Sequence, residues 1–310
     1  MIWTFFGRTH VCHSVSLLLK ILFQANPKAI SVRESKRGSL PLHYATAFEA
    51  SLEVVQFLHS KYPEAVRSPR KDFVYPLHLS CGCYSGSPDV INFLLDEYPD
   101  GASKRCTDLY WFPLHSAAQG GAPVAVMERL FAIHPDSVTG RDKYGKTPLH
   151  TACRNKGNLD NVAFLVRIGP EALRMEDYGH FKPIFLAAMY QSPDIIRLLL
   201  DHTQDRVDQL GATLLHWASV RNTKEAVEFL AGQFPDMLTA RTRDHDRFTP
   251  LLGACVNEGP IENIKALIQH NRDTLDMKDG NGHTCLQAAL NANANPDIIN
   301  LLQAERRKGG

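Results

Sequence analysis

"KTPLHTAC", Lys146–Cys153, holds a threonine hydroxyl, an imidazole and a thiol within seven residues. Such a cluster reads either as chemistry or as a construction element, and its copies along the chain choose between the two. "LPLHYA" has its proline at Pro41, "YPLHLS" at Pro76, "FPLHSA" at Pro113, "TPLHTA" at Pro148, "KPIFLA" at Pro183 and "TPLLGA" at Pro250. "TLLHWA" carries Leu214 at that place and "TCLQAA" carries Cys285. Successive spacings are 35, 37, 35, 35, 31, 36 and 35 residues, so the stretch opens a unit repeated eight times.

A second element follows each opening motif. Examples are "LEVVQFL" (52–58), "VINFLL" (90–95), "DIIRLLL" (194–200) and "NIKALI" (263–268), short apolar segments with helical spacing. Several start with a cap, a proline and an acid: Ser87-Pro88-Asp89, Ser192-Pro193-Asp194 and Asn295-Pro296-Asp297. The cap side chain is expected to accept a free backbone N–H, the proline suits the first turn, and the acid suits the positive helix end. A prolyl-acid segment closes most units, as in "YPEAV" (62–66), "YPDGA" (98–102), "HPDSV" (134–138) and "FPDML" (234–238). The unit is read as turn, short helix, short helix and extended loop. Helices this short are marginal alone, so each must bury its apolar face on a neighbouring unit, which makes a solenoid.

"NPKAI" (26–30) joins the closing set, 36 residues before Pro63. Val15–Ala25, which otherwise resembles a signal-peptide core, then aligns with the second helices as the tail of a divergent first unit. The expected organisation is a divergent or disordered segment 1–14, an array 15–303 and a polar tail 304–310.

Composition is that of an ordinary soluble protein: 310 residues, 44% apolar, 22% charged, formal net charge +1. Seven cysteines at irregular spacings, with no Cys-x-x-Cys, argue against a secreted disulfide framework. An intracellular location, cytoplasmic or nuclear, is expected. No apolar run is long enough to span a membrane.

The pattern resembles the ankyrin repeat. Thr147-Pro148-Leu149-His150-Thr151-Ala152 and its partial copies carry the resemblance. So does the Asp-x-x-Gly-x-Thr loop at Asp142, Gly145, Thr147; at Asp208, Gly211, Thr213; and at Asp279, Gly282, Thr284. It implies an all-α solenoid of about eight repeats plus a partial N-terminal one, each an antiparallel helix pair with a short β-hairpin or loop finger. It implies a curved array whose first helices and fingers face the partner, and a protein-binding scaffold without catalysis or cofactor. This chain departs by its period near 35, by its Ser/Asn-Pro-Asp starts, and by the 31-residue step at 183–214, a candidate hinge.

His43, His78, His115, His150 and His216 recur at one repeat position. A metal ladder is a poor reading: neighbouring repeats place them on the order of 10 Å apart, while ligands sit about 2 Å from one ion. The resemblance implies an imidazole that hydrogen-bonds loop groups. Cys81, Cys153 and Cys255 share another position and read as small packing residues. His78, Cys81 and Cys83, or His10, Cys12 and His13, have no second half at zinc spacing. No nucleophile elbow, His-Glu-x-x-His or phosphate loop occurs, so neither enzyme activity nor a metal is expected. Trp217 reads as inter-repeat packing.

In a repeat protein the invariant positions build and the variable ones bind. The fingers Ser31–Ser39, Val66–Val74, Ala102–Trp111 and Arg141–Lys146 carry +2, +2, +1 and +2, together +7. The four later fingers sum to −2. Aromatics interleave with the basic edge: Phe73, Tyr75, Tyr110, Trp111, Phe112 and Tyr144, then Tyr178, Phe181 and Phe248. Aromatics and arginine dominate interface hot spots; alternatively, Tyr75 and Phe112 pack at the start of the first helix. First-helix ends add Phe48, Arg154-Asn155, Tyr190 and Arg221. The expected partner-binding set is Arg37, Phe48, Arg70, Lys71, Tyr110, Trp111, Tyr144, Lys146, Arg154, Asn155, Phe181, Tyr190 and Arg221. The expected partner is another protein, through an acidic or phosphorylated segment, with the chain acting as a monomer. Alternatives are a recognition module of a larger signalling protein and a nucleic-acid binder. The latter needs a basic groove rather than scattered finger charges.

Overall fold

Each opening motif starts an α-helix at its landmark residue. These first helices are Pro41–Ala47, Pro76–Gly82, Pro113–Gly120, Pro148–Arg154, Pro183–Tyr190, Leu214–Arg221, Pro250–Val256 and Cys285–Asn291. The second helices are Leu52–Lys61, Pro88–Glu97, Val124–Ile133, Leu159–Ile168, Pro193–Leu200, Lys224–Gln233, Ile261–His270 and Pro296–Gly309. The structure, a computed structural model, describes residues 26–82, 86–155 and 158–309. The readings made for segment 1–14, for Val15–Ala25 and for His10, Cys12, His13 and Cys83 lie outside the described residues. None of the described helices is long and apolar enough to cross a membrane.

Small residues let the first helices approach closely. The fourth residue after each landmark is Ala45, Ala117, Ala152, Ala187, Ala218, Ala254 or Ala289, each fully buried, with Ser80 buried in the second repeat. Leu42, Leu77, Leu114 and Leu149 fill the space beneath them. Buried amides tie some repeats to the one before: Asn161 Nδ2 donates to the Ala122 carbonyl at 2.9 Å. Asn222 Nδ2 donates to those of Ala188 (2.8 Å) and Gln191 (2.9 Å).

Three expectations are corrected. The prolyl-acid closing segment is not extended: Pro27–Ser31, Pro63–Arg67, Pro99–Ser103, Pro135–Val138, Pro170–Arg174 and Pro235–Leu238 are single turns of 3-10 helix. The residue before the proline leaves the helical region, as at Tyr62 (φ −147°, ψ 79°). The proline then starts a new turn that buries Ala65 and Val66. The sixth repeat follows Leu200 without such a turn, which accounts for its short step. That step is packed: a β-bridge joins Val207 to Thr213, and Lys182 Nζ pairs with Asp205 Oδ1 at 2.8 Å. Second, the Ser87 and Ser192 side chains make no capping hydrogen bond, whereas Asn295 accepts from the Asp297 N–H at 2.9 Å. Third, the last helix runs on to Gly309, so residues 304–309 extend a repeat helix; "AERRK" contains good helix formers and no breaker.

Two compact units divide the chain. One takes the residues up to Ala152 together with Asp160–Ala172; the other takes Cys153–Leu159 and Leu173 onward. Repeats one to three lie in the first unit and repeats six to eight in the second.

Candidate protein-binding surface

The histidines of the opening motif belong to the framework. The Nδ1 of His43, His78, His115, His150 and His216 accepts the backbone N–H three residues earlier, at 3.1, 3.4, 3.3, 3.2 and 3.0 Å. Nδ1 is thus the acceptor, and Nε2 carries the proton. It donates across to the next repeat at His78, to the Trp111 carbonyl (3.1 Å), at His115, to that of Lys146 (3.2 Å), and at His216, to that of Phe248 (2.9 Å). The threonine hydroxyl adds to the arrangement, with Thr147 Oγ1 2.8 Å from His150 Nδ1. Burial pushes His78 and His115 down to about 4. Burial, with the Arg70 and Arg33 guanidiniums adding to it, takes His43 to about 3. These rings are neutral structural links.

The fingers are turns, not hairpin strands. Among the described residues the only β pairing is the Val207–Thr213 bridge. An aspartate organises most later fingers. Asp142 Oδ1 accepts the N–H groups of Tyr144 (2.7 Å) and Lys146 (2.8 Å). Asp177, Asp208 and Asp279 make the same pair of bonds to residues two and four ahead. Backbone bonds link neighbouring fingers within the first unit: Lys71 N–H to Arg37 carbonyl (2.9 Å), Thr107 to Asp72 (2.9 Å) and Lys143 to Leu109 (3.0 Å).

Every finger has a left-handed residue three places before its first helix. It is glycine in four repeats: Gly38, Gly145, Gly211 and Gly282. In the others it is Phe73 (φ 55°), Tyr110 (φ 56°), His180 (φ 63°) and Arg247 (φ 48°). A side chain there costs about 1 kcal/mol relative to glycine.

The predicted residues fall into two kinds. Several are occupied by the fold. The Arg70 guanidinium pairs with Asp72 through Nε (3.0 Å) and Nη2, and its side chain is only 11% exposed. Trp111 Nε1 donates to Asp142 Oδ2 at 3.1 Å, and its ring lies parallel to that of His115. Phe181 meets the Trp217 ring edge-on at 5.0 Å, and Trp217 Nε1 donates to Asp208 Oδ2 at 3.0 Å. Tyr75 and Phe112 are buried, which favours their packing reading. Others stand in solvent. Arg37, Phe48, Lys71, Tyr110 and Tyr144 are exposed in the first unit; Arg154, Tyr190 and Arg221 are exposed in the second. Asn155 is half-buried. Lys71 Nζ also donates to the Ser35 carbonyl at 2.6 Å. Tyr144 lies between two ammonium groups, Lys143 Nζ at 5.1 Å and Lys146 Nζ at 5.2 Å from its ring centroid.

Sequence reasoning missed two features. Arg33, Arg105 and Arg141 are finger staples: Arg33 Nη1 donates to the Gly38 (2.9 Å) and Pro69 (2.8 Å) carbonyls. Arg105 Nη1 reaches the Arg141 carbonyl at 3.0 Å, and Arg141 Nη1 that of Gly145 at 3.2 Å. Part of the +7 finger charge is therefore engaged with backbone. The other is Phe73, noted among the aromatics but left out of the binding set. Its signal was present: it stands where Gly38, Gly145, Gly211 and Gly282 stand.

Residues 77–176 and 170–240, together more than half of the chain, match the family described as ankyrin repeats. The chain belongs to the ankyrin-repeat family. Among its relatives is the human transient receptor potential cation channel subfamily A member 1, 30% identical over 41% of this chain and 11% of the channel. The target of rapamycin complex 2 subunit AVO2 of Saccharomyces cerevisiae is 24% identical over 63% of this chain and 45% of the subunit. The NF-kappa-B inhibitor cactus of Drosophila yakuba is 27% identical over 53% of this chain and 39% of the inhibitor. The chain thus spans less than half the length of each of these relatives.

Proposed function

We propose that this ankyrin-repeat chain is a non-catalytic protein-binding scaffold, and that its N-terminal fingers dock an acidic or phosphorylated segment of the partner. The exposed charge of those fingers carries this reading. Lys36, Arg37, Lys71 and Lys143 are exposed, against the single exposed acid Asp108 on the same fingers. Aromatic side chains stand between these cations, Phe73, Tyr110 and Tyr144 each about half exposed. Two of the relatives are, by name, a complex subunit and an inhibitor of another protein, which supports an interaction role.

Such docking is steered by charge and weakens as salt screens it. Partners captured on the immobilised chain at about 50 mM salt should be largely lost at about 300 mM, where the screening length falls well below 10 Å. Equal recovery at both strengths removes the electrostatic part of the proposal. A second reading, a recognition module within a larger signalling protein, is favoured by the limited share of each relative that the chain spans. A transcript extending the reading frame tests it.

A further inference from the structure

The geometry points to Phe73 and Tyr110, at the tips of the second and third fingers, as paired apolar anchors for an extended acidic segment of a partner protein. This rests on the scaffold reading above and places the contact on two tips.

The finger turn demands a positive φ three residues before each first helix, and the chain meets that demand with glycine four times. At Phe73 and Tyr110 the β-carbon is forced toward the following carbonyl, with φ at 55° and 56°. Half of each residue nonetheless faces water, at 51% and 52% exposed. The backbone conformation itself favours glycine at both sites. Two large rings retained on adjacent fingers, strained and facing water, are accounted for by a contact outside the fold. Backbone bonds tie these fingers to their neighbours, from Thr107 N–H to the Asp72 carbonyl at 2.9 Å and from Lys143 N–H to the Leu109 carbonyl at 3.0 Å. These bonds flank the two tips and hold them in register.

The surroundings select the occupant. Lys71 on the second finger and Lys143 on the fourth are exposed, and Asp108 is the exposed acid of the second to fourth fingers. Neighbouring repeats stack on the order of 10 Å apart, about three residues of extended chain at ~3.3 Å each. A segment whose apolar side chains cover the two rings, with carboxylates between and beside them, meets both the apolar and the cationic groups.

The test is selection of a displayed random-peptide library on the intact chain at low salt. Enriched peptides should hold more Asp and Glu than the input, together with apolar side chains. Their affinity should fall at least about tenfold for the double variant Phe73→Gly with Tyr110→Gly. The thermal midpoint of that variant should be unchanged or raised by a few degrees. The pair Phe73→Asn with Tyr110→Asn, which tolerates positive φ without adding glycine's flexibility, should lose affinity equally. A clearly lower midpoint in both double variants would show that the fold itself holds the rings and would overturn the inference. Selected peptides that bind the variants undiminished place the contact elsewhere and leave the scaffold reading standing. No enrichment, or enrichment without acids, removes the acidic-segment reading as well.

Discussion

At the residue scale, the most informative side chains are those whose role reverses once their partners are seen. Trp111 and Arg70 have the chemistry of interface anchors, yet one bonds Asp142 and the other pairs with Asp72. Loss of binding on truncating either would report a disturbed finger as much as a lost contact. Trp111→Phe removes the Nε1 donor together with the five-membered ring and keeps a six-membered one, so it should cost about 1–2 kcal/mol in urea unfolding. The same substitution should leave peptide affinity nearly unchanged. The buried histidines carry a pH signature. His78 and His115 sit near 4 when folded, against an ordinary value of 6.5. Below pH ~6.5 the unfolded chain takes up protons that the folded chain refuses. Their contribution is therefore complete above about pH 6.5 and is lost as pH falls toward 4, on the order of 1 kcal/mol per histidine per pH unit. Urea midpoints should be level from pH ~8 to 7 and decline below about 6.5; a level profile down to pH ~5 would mean that these imidazoles are charged in the fold.

At the element scale, stability comes from ties between repeats. The Asn222 amide donates to two carbonyls of the preceding repeat, from a site that is 5% exposed. Asn222→Ala strands both acceptors and should cost about 2–3 kcal/mol. Hydrogen exchange should quicken around Leu214–Gln233 while Pro41–Lys61 keeps its protection, because repeat arrays open locally. Sequence reasoning found both helices of all eight repeats, since apolar period and proline placement are local signals. It misjudged the closing segment, because nothing local separates a proline that ends a helix from one that begins a 3-10 turn. Burial of Ala65 and Val66 on neighbouring elements is what selects the turn.

At the scale of the whole molecule, a formal charge of +1 conceals unequal fingers. Lys36, Arg37 and Lys143 are exposed, and their removal should not loosen the array. Changing all three to glutamate should slow association with acidic peptides at least about tenfold at low salt, read by surface plasmon resonance, with little change in melting temperature. A matching drop in melting temperature would assign those charges to folding instead.

Period, helix order and turn position are legible in the sequence itself, because each follows from residues a few places apart. "KTPLHTAC" is construction on that ground alone: Thr147, Pro148 and His150 recur, and the structure confirms them in capping, helix-starting and linking roles. The division of the basic and aromatic residues is different. Arg33, Arg105 and Trp111 bond groups 31 to 36 residues away, whereas Phe73 and Tyr110 stand half in water at a strained φ. Such bonds and backbone angles depend on what the neighbouring repeat presents, so only the stacked tertiary structure separates the residues that hold the fingers from those free to meet a partner.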